Sequence, residues 1–235
     1  MNSRRNQRRG VPAKSNSYMK AIIGLLLIAV LLSFIYWYQH SKPPTFLLLA
    51  GVDWSGSTED KRADYLKRLD IVVQDVIPTE SSASIFGYDD KVEMVDKIDP
   101  NDDQSINIFL DKAHSYILKH RTPDKGTYQV RPLEVMLPLV QHASNKGDPV
   151  AIMLLTDGED WDQAATRRAA MQLAQVPNLK AVWVVPVNTG LDPNGKATFR
   201  ARIESTFAPL GNKLIVSNKF DINKGQADFT DRIRN

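Results

Sequence analysis

Cysteine is absent from the 235 residues of this chain. Without thiols the protein forms no disulfide bond and holds no metal ion through thiolate ligands. A folded domain must therefore be stabilised by its apolar core, and a composition of 43% hydrophobic and 24% charged residues is typical of a globular protein with such a core. The sequence also lacks internal repeats and low-complexity segments, and the composition excludes a chain that is disordered throughout.

Acidic residues are absent from residues 1–42, whereas seven lysine and arginine residues lie there. The whole chain has a formal net charge of +3, so the remainder has a net charge of −4. The basic isoelectric point of the chain, about 9.0, is therefore due to the lysine and arginine residues of the N-terminal segment, and the part that folds is mildly acidic. A nucleic-acid partner is not expected, because such proteins usually carry basic charge on the folded surface that meets phosphate.

Residues 21–38 contain no charged side chain and read AIIGLLLIAVLLSFIYWY. A helix of this length, at about 1.5 Å per residue, extends roughly 27 Å and nearly spans a bilayer core. The aromatic residues that close the segment are typical of an interfacial belt, and the arginines before it predict a cytoplasmic N-terminus. We therefore predict a single-pass protein of the cell membrane, with a basic cytoplasmic tail (1–20), a transmembrane signal anchor (21–38), a short stalk (39–45) and an extracytoplasmic domain (46–235).

Two alternatives to the anchor remain open. A cleaved signal peptide would require small residues after the apolar run, where the sequence instead has YWYQHSK. A buried core helix is the other alternative, and it is poorly served by a segment that is apolar on every side and follows a basic tail.

Short apolar runs alternate with helix-period segments from Phe46 onward. FLLLAGV and VAIMLLT have the continuous apolar character of strands buried on both faces, and SASIFGY with VEMVDKI predicts a strand pair of which one member is antiparallel. LKAVWVVPV and KLIVS complete the predicted strands. The alternation predicts an α/β fold, with a doubly wound, mostly parallel central sheet, one antiparallel edge strand and helices on both faces.

Apolar side chains at helical spacing predict the helices between these strands. One begins near Tyr65 and is ended by Pro78, a second contains Ile106 to Leu118, and a third contains Leu133 to Ala143. Pro138 falls inside the third helix, where proline predicts a kink. Two further helices are predicted over Asp162 to Ala174 and over Phe199 to Phe207.

Two aspartates follow two of the buried strands. Asp53 follows the first strand and Asp157 follows AIMLLT, so the carboxylates share one crevice if these strands are neighbours, because ligands bind at the carboxyl ends of parallel strands. Like charges in a partly desolvated site raise the pKa of one group or require a cation with oxygen ligands. Ser55 and Ser57 can add hydroxyl oxygens, since residues two apart in an extended segment point the same way.

The sequence resembles the von Willebrand factor A domain family with a complete metal-ion-dependent adhesion site. The residues that carry the resemblance are D-W-S-G-S from Asp53 to Ser57, Gly126-Thr127 ahead of the third helix, and LLTDG from Leu154 to Gly158. The resemblance covers residues 46–235 and implies the fold of that family. Thr122 lies in the same loop as Thr127, but only Thr127 follows a glycine and precedes the apolar helix.

The resemblance also implies a ligand set. Ser55, Ser57 and Thr127 would offer hydroxyl oxygens to a Mg²⁺ ion, or to Mn²⁺ or Ca²⁺, while Asp53 and Asp157 would hold the ion directly or through water. A divalent ion countered by two aspartates is about neutral and can still accept a carboxylate from another molecule. The function implied is binding of a protein partner through its acidic side chain, in adhesion or envelope complex assembly, without enzymatic activity.

Two other functions remain open. A metal-dependent hydrolase of phosphate esters would want a second aspartate two residues after the first, where Ser55 stands, and none of the histidines follows a predicted strand. A metal-free structural protein of the envelope is the other possibility.

Each motif also has a purely structural interpretation. Asp53 to Ser57 could be a strand end followed by a helix N-cap, and TDGEDWD could be a turn that Asp162 caps, with Glu159 and Asp160 as surface charges. Aromatic side chains near the metal face could form a contact surface or could simply pack. These are Trp54, Tyr128 and Trp161.

Overall fold

The computed structural model describes residues 15–41, 46–76, 81–98, 103–121, 126–158, 160–186, 193–217 and 221–234. The chain divides into two compact units, Met1–Pro43 and Pro44–Asn235. Most of the predicted tail and most of the predicted stalk lie outside the described residues.

The first unit contains helix α1 (Ser15–Ser41). Its side chains are described from Lys20 to Tyr36, and the apolar ones among them are exposed, as Leu25 is at 68%. The side chains of Trp37 and Tyr38 lie outside the described set. Within the described part of the chain, no helix combines the length and the apolar character that crossing a membrane requires.

The second unit is built on one six-stranded sheet with the strand order β3-β2-β1-β4-β5-β6. The strands are β1 (Leu47–Asp53), β2 (Ser82–Tyr88), β3 (Val92–Ile98), β4 (Val150–Thr156), β5 (Leu179–Pro186) and β6 (Leu214–Val216). All neighbouring pairs are parallel except β2 with β3, which places the antiparallel strand at an edge. The predicted mostly parallel α/β sheet with one antiparallel edge strand is therefore confirmed.

Strands β1 and β4 lie side by side in the centre of the sheet. Their register pairs Leu47 with Val150 and Val52 with Leu155, so the two strands end at the same level. Both are almost wholly buried, as expected for apolar runs that are covered on both faces. This pairing brings the residues that follow β1 and β4 to one point on the carboxyl edge of the sheet.

Helices cover both faces of the sheet. They are α2 (Arg62–Ile71), α3 (Asp103–Lys119), α4 (Val130–Asn145), α5 (Gln163–Ala174), α6 (Pro193–Phe207) and α7 (Ile222–Arg234). Helices α2, α3 and α7 pack with strand residues such as Leu48 and Val52, while α4, α5 and α6 pack with the alternate residues, such as Leu49. This alternation follows from the two-residue period of a strand.

The helices differ from prediction by one additional helix and at the end of another. Helix α7 lies beyond KLIVS, the last element predicted; its buried residues Ile222, Phe229 and Ile233 have helical spacing that the sequence analysis did not use. Helix α2 continues into a π-helical turn (Val72–Val76), while the predicted stop at Pro78 lies outside the described residues. Helix α4 runs unbroken through Pro138.

Candidate metal centre

The five residues predicted as metal ligands form one connected set of hydrogen bonds. The Ser55 hydroxyl donates to Asp53 Oδ1 at 2.7 Å and lies 3.1 Å from the Ser57 hydroxyl oxygen. Ser57 donates to Asp157 Oδ2 at 2.6 Å, and Thr127 Oγ1 donates to Ser55 Oγ at 3.0 Å. We call these five residues the oxygen cluster. Three separate segments contribute to it, all at the carboxyl edge of β1 and β4 or in the loop before α4.

The segment after β1 folds tightly around the Asp53 carboxylate. The Ser55 backbone amide donates to Asp53 Oδ1 at 3.0 Å, and the buried Thr58 hydroxyl donates to the carbonyl oxygens of Asp53 and Ser55, each at 2.9 Å. A 3₁₀ helix (Gly56–Lys61) follows, with Ser55 at its N-cap position but without a capping hydrogen bond from the Ser55 side chain. The strand end and the N-cap position are thus both present, but the Ser55 side chain makes no capping bond, because its hydroxyl bonds to Asp53 and Ser57 instead.

Thr156 supports the cluster from the core side and was missed by the sequence analysis. It is fully buried at the end of β4, and its hydroxyl donates to Asp53 Oδ2 at 3.3 Å while accepting from the Gly158 amide at 3.0 Å. The Gln129 side-chain amide also donates to this hydroxyl, at 3.4 Å. A threonine directly before Asp157 was the available signal, since a buried hydroxyl requires a partner.

The loops that carry Thr127 and Asp157 are joined by backbone hydrogen bonds. The Trp161 amide donates to the Thr127 carbonyl at 3.0 Å, and Asp160 Oδ1 accepts from the amides of Gln129 at 3.3 Å and Asp162 at 3.2 Å. Asp160 is therefore a bridge between the loops and not simply a surface charge. Asp162 does cap α5, accepting from the Ala165 amide at 2.9 Å, as its structural interpretation predicted. Glu159 and Thr122 lie outside the described residues.

The two carboxylates of the cluster repel each other in a buried setting. The pKa of Asp53 is raised to about 7, mainly by burial and secondly by the negative charge of Asp157. Hydrogen bonds from Ser55 act in the opposite direction and lower this pKa. A small divalent cation with oxygen ligands would relieve this repulsion, and every donor in the cluster is a carboxylate or hydroxyl oxygen. The donor set therefore fits such an ion. Among the described residues, no group of three or more histidine, aspartate and glutamate side chains is placed to hold a metal ion, and the oxygen cluster contains only two such side chains.

Arg62 ties the loop after β1 to the end of α3. Its guanidinium is buried, with the side chain only 2% exposed, and donates to the carbonyl oxygens of Trp54 and Ser55 on one side and of Ile117, at 3.3 Å, and His120 on the other. Burial lowers the pKa of Arg62, and the charges of Asp53 and Asp89 partly offset that effect. No sequence pattern distinguished this arginine from a surface arginine on α2.

The aromatic side chains near the cluster have different roles. Trp54 is 1% exposed and stacks on the His120 ring at 3.6 Å and 7°, so its interpretation as part of a contact surface is wrong. Trp161 is 67% exposed, and its ring centroid lies 6.3 Å from that of the half-buried Tyr128. Thus only Tyr128 and Trp161 remain available to a partner.

The described histidine rings are engaged outside the cluster. His114 on α3 bonds to Asp70 Oδ1 at 2.8 Å. His120 follows the last residue of α3, and its pKa is lowered by burial and by Arg62. His142 is exposed on α4. In the described part of the chain, no histidine hydrogen-bonds to a cluster residue.

Comparison with solved structures identifies the fold. A von Willebrand factor type A protein from Catenulispora acidiphila matches with a TM-score of 0.58 and 15% identity, over 81% of this chain and 42% of that one. The pilus adhesin SpaC of Lactobacillus rhamnosus GG matches with a TM-score of 0.58 and 12% identity, over 81% and 30%. Manganese-loaded TRAP of Plasmodium vivax matches with a TM-score of 0.52 and 18% identity, over 82% and 74%.

These likenesses show a von Willebrand factor A fold. The matched region is less than half of the first two of these proteins. No protein-family model matches the sequence, and no curated protein matches it either.

Proposed function

We propose that this chain binds a divalent cation at the oxygen cluster and, through that ion, an acidic side chain of a protein partner. The observation that carries the proposal is the single hydrogen-bonded set that joins Asp53, Ser55, Ser57, Thr127 and Asp157 at one edge of the sheet. Mg²⁺ is the ion we propose, with Mn²⁺ and Ca²⁺ as alternatives, because all the donors are hard oxygens.

The residues of the cluster would have two roles. Asp53 and Asp157 would balance the charge of the ion, and the hydroxyl groups of Ser55, Ser57 and Thr127 would contribute neutral oxygens. When bound, the ion supplies a positive centre that a carboxylate from another molecule can ligate. Ser57 is exposed whereas Asp53 and Ser55 are buried, so the Ser57 and Asp157 side of the cluster is the side from which a partner would approach.

Two of the solved structures of similar fold support this proposal. The Plasmodium vivax protein was crystallised with manganese, and the Lactobacillus rhamnosus protein is a pilus adhesin. We propose an analogous role here, in adhesion or in the assembly of an envelope complex.

We further propose that α1 attaches the protein to the cell membrane, with the N-terminus in the cytoplasm and the A-type domain outside. Exposed leucine, isoleucine and phenylalanine side chains from Ile22 to Ile35 support this, because a contiguous apolar surface of this kind is unfavourable in water. The basic residues before α1 support the orientation. A nucleic-acid partner is not proposed, because the net charge after residue 42 is negative.

We propose that the protein is not an enzyme. A phosphate-ester hydrolase needs a positioned base or nucleophile, and the residue two positions after Asp53 is a serine whose hydroxyl donates to that aspartate. If the protein hydrolyses a phosphate ester in a metal-dependent way, and Asp53→Asn abolishes this activity, then the hydrolase alternative is correct and the proposal that it is not an enzyme is wrong.

Isothermal titration of the full-length chain with MgCl₂ and MnCl₂ tests the central proposal. We expect saturable binding that Asp53→Asn and Ser57→Ala weaken by about 10- to 100-fold, since a lost ligand leaves the ion undercoordinated. Asp64→Asn, at an exposed position on α2, is the matched control and should bind as the parent does. If the folded parent protein gives no binding heat with either ion, the metal-binding proposal fails and the metal-free structural alternative is the one left to test.

A further inference from the structure

An exposed aromatic surface adjoins the oxygen cluster. Trp161 is 67% exposed, the Tyr128 ring is tilted by 46° against it at 6.3 Å, and the Arg131 guanidinium carbon lies 5.9 Å from the centre of the Tyr128 ring. We call these three residues the aromatic shelf. Trp54 and Trp183, by contrast, are no more than 1% exposed. The exposure of Trp161 is thus a local feature of the cluster and not a general property of tryptophan in this fold.

The backbone holds the shelf against the cluster. The Trp161 amide donates to the carbonyl oxygen of Thr127, whose hydroxyl belongs to the cluster, at 3.0 Å. The indole lies over Gly126, where an added Cβ atom would stand 2.8 Å from Trp161 Cε2, and the φ angle of +83° also favours glycine there. Tyr128 is tied to the turn after β2, because its amide donates to the Asp89 carbonyl at 3.3 Å. The backbone at Trp161 and Tyr128 is therefore anchored beside the cluster without a partner.

We propose that the aromatic shelf selects the partner by binding an aromatic side chain next to the acidic residue that reaches the ion. This inference rests on the proposed function of the cluster. Tryptophan, tyrosine and arginine are the residue types that most often dominate binding at protein interfaces. Adjacent residues of a peptide have Cα atoms about 3.8 Å apart, and outside a fully extended strand their side chains do not have to point to opposite faces, so one short turn-like segment can fill both the cluster and the shelf that Thr127 joins to it.

The geometry and charge of the shelf indicate which side chains it would bind. Two rings tilted against each other offer both a face and an edge to a third ring, which are the arrangements that aromatic pairs favour. Arg131 adds a positive charge beside the Tyr128 ring, and its nearest described ion-pair partner is Glu134 at 3.5 Å, a weak pair on an exposed helix surface. An acidic segment that carries an aromatic residue matches these features.

Three short peptides test the inference on the full-length chain in detergent, at saturating MgCl₂. They are the blocked sequences Gly-Phe-Glu-Phe-Gly, Gly-Ala-Glu-Ala-Gly and Gly-Phe-Gln-Phe-Gly, with affinity measured by isothermal titration calorimetry. We expect the first to bind about tenfold more tightly than the second, the gain that one additional aromatic pair supplies, and to bind more tightly than the glutamine peptide. The Phe-Glu peptide should also shift the Trp161 fluorescence.

Variants assign the effect to the shelf. Trp161→Ala should lower the affinity for the Phe-Glu peptide to that for the Ala-Glu peptide without changing the affinity for Mg²⁺ itself. Trp161→Phe should retain most of the preference. Met171→Ala removes another side chain that is 53% exposed, on α5, and should have no effect.

The outcomes separate this inference from the proposed function. If both glutamate peptides bind equally well and better than the glutamine peptide, the carboxylate proposal is supported and the shelf does not select. If Mg²⁺ binds but neither glutamate peptide exceeds the glutamine peptide, the carboxylate proposal fails, and the inference fails with it. If Trp161→Ala weakens Mg²⁺ binding by the same factor as peptide binding, Trp161 shapes the ion site and the inference is wrong.

Discussion

Lowering the pH from about 8 to about 5 should weaken divalent-ion binding by about 100-fold. The cause is Asp53, which must lose its proton to ligate an ion and whose pKa is raised to about 7 by burial and by Asp157. Below that pKa each pH unit reduces the apparent affinity about tenfold, so two units correspond to about 3 kcal/mol. An aspartate with an ordinary pKa of about 3.9 would stay ionised over this whole range, and the affinity would then be almost constant.

Mn²⁺ titrations of the full-length chain at several pH values between these limits measure the effect directly. The affinity should reach a plateau above about pH 7 and fall with a slope near one proton per ion below it. An affinity that does not change over this range would refute the argument, because it would show that Asp53 is already ionised in the buried site without an ion.

The same pKa predicts how stability depends on pH when no ion is bound. Asp53 has a higher pKa when folded, about 7, than its unperturbed value of 3.8, so between these values the folded state binds more protons. The stabilisation is complete below the lower value and is lost as the pH rises through the higher one, with a total of about 4 kcal/mol. Asp53→Asn should remove this dependence, which denaturant unfolding in EDTA at pH values across the interval would measure.

Three further substitutions probe the supports of the cluster. Thr156→Val should lower the free energy of unfolding in denaturant by about 1–3 kcal/mol and weaken Mn²⁺ binding, because the Thr156 hydroxyl donates to Asp53 and accepts from a backbone amide. Unchanged ion binding would show that this contact does not position the carboxylate. Arg62→Met should destabilise the domain by at least about 3 kcal/mol, since buried carbonyl groups lose their donor. Arg62→Lys should recover part of this loss, and equal stabilities of the two variants would contradict the prediction. Gly87→Ala should lower the melting temperature by an amount that corresponds to about 1–3 kcal/mol, because the new Cβ atom would lie 2.1 Å from the Trp54 ring. A melting temperature equal to that of the parent would show that the indole can move at no cost.

Much of the cluster was predictable because its signals are local. Asp53, Ser55 and Ser57 lie within five residues after an apolar run, and the strand that precedes them is recognisable from its composition alone. Thr127 could be identified only through the family resemblance, because nothing in its own neighbourhood shows that it comes close to Ser55. The structure places its hydroxyl 3.0 Å from that of Ser55, although 72 residues separate them.

Other features were beyond sequence reasoning for a common physical reason. Trp54 and Trp161 both lie within four residues of a cluster residue in the sequence, yet one is buried against His120 and the other is two-thirds exposed over a glycine. Side-chain burial depends on which distant segments arrive nearby, and the same holds for Arg62, whose acceptors belong to α3 and its end. Helix α7 was missed for a different reason, since its spacing of apolar residues was present in the sequence and was not used.

The sequence by itself determined the α/β alternation, the buried strands and the oxygen-rich residues that follow two of them, because hydrophobic periodicity and residue chemistry are local properties. Only the tertiary structure decided that β1 and β4 are neighbours in register, and therefore that two aspartates far apart in the chain meet. Strand order is set by long-range packing, which no short stretch of sequence encodes. That packing also decided the burial that raises the pKa of Asp53.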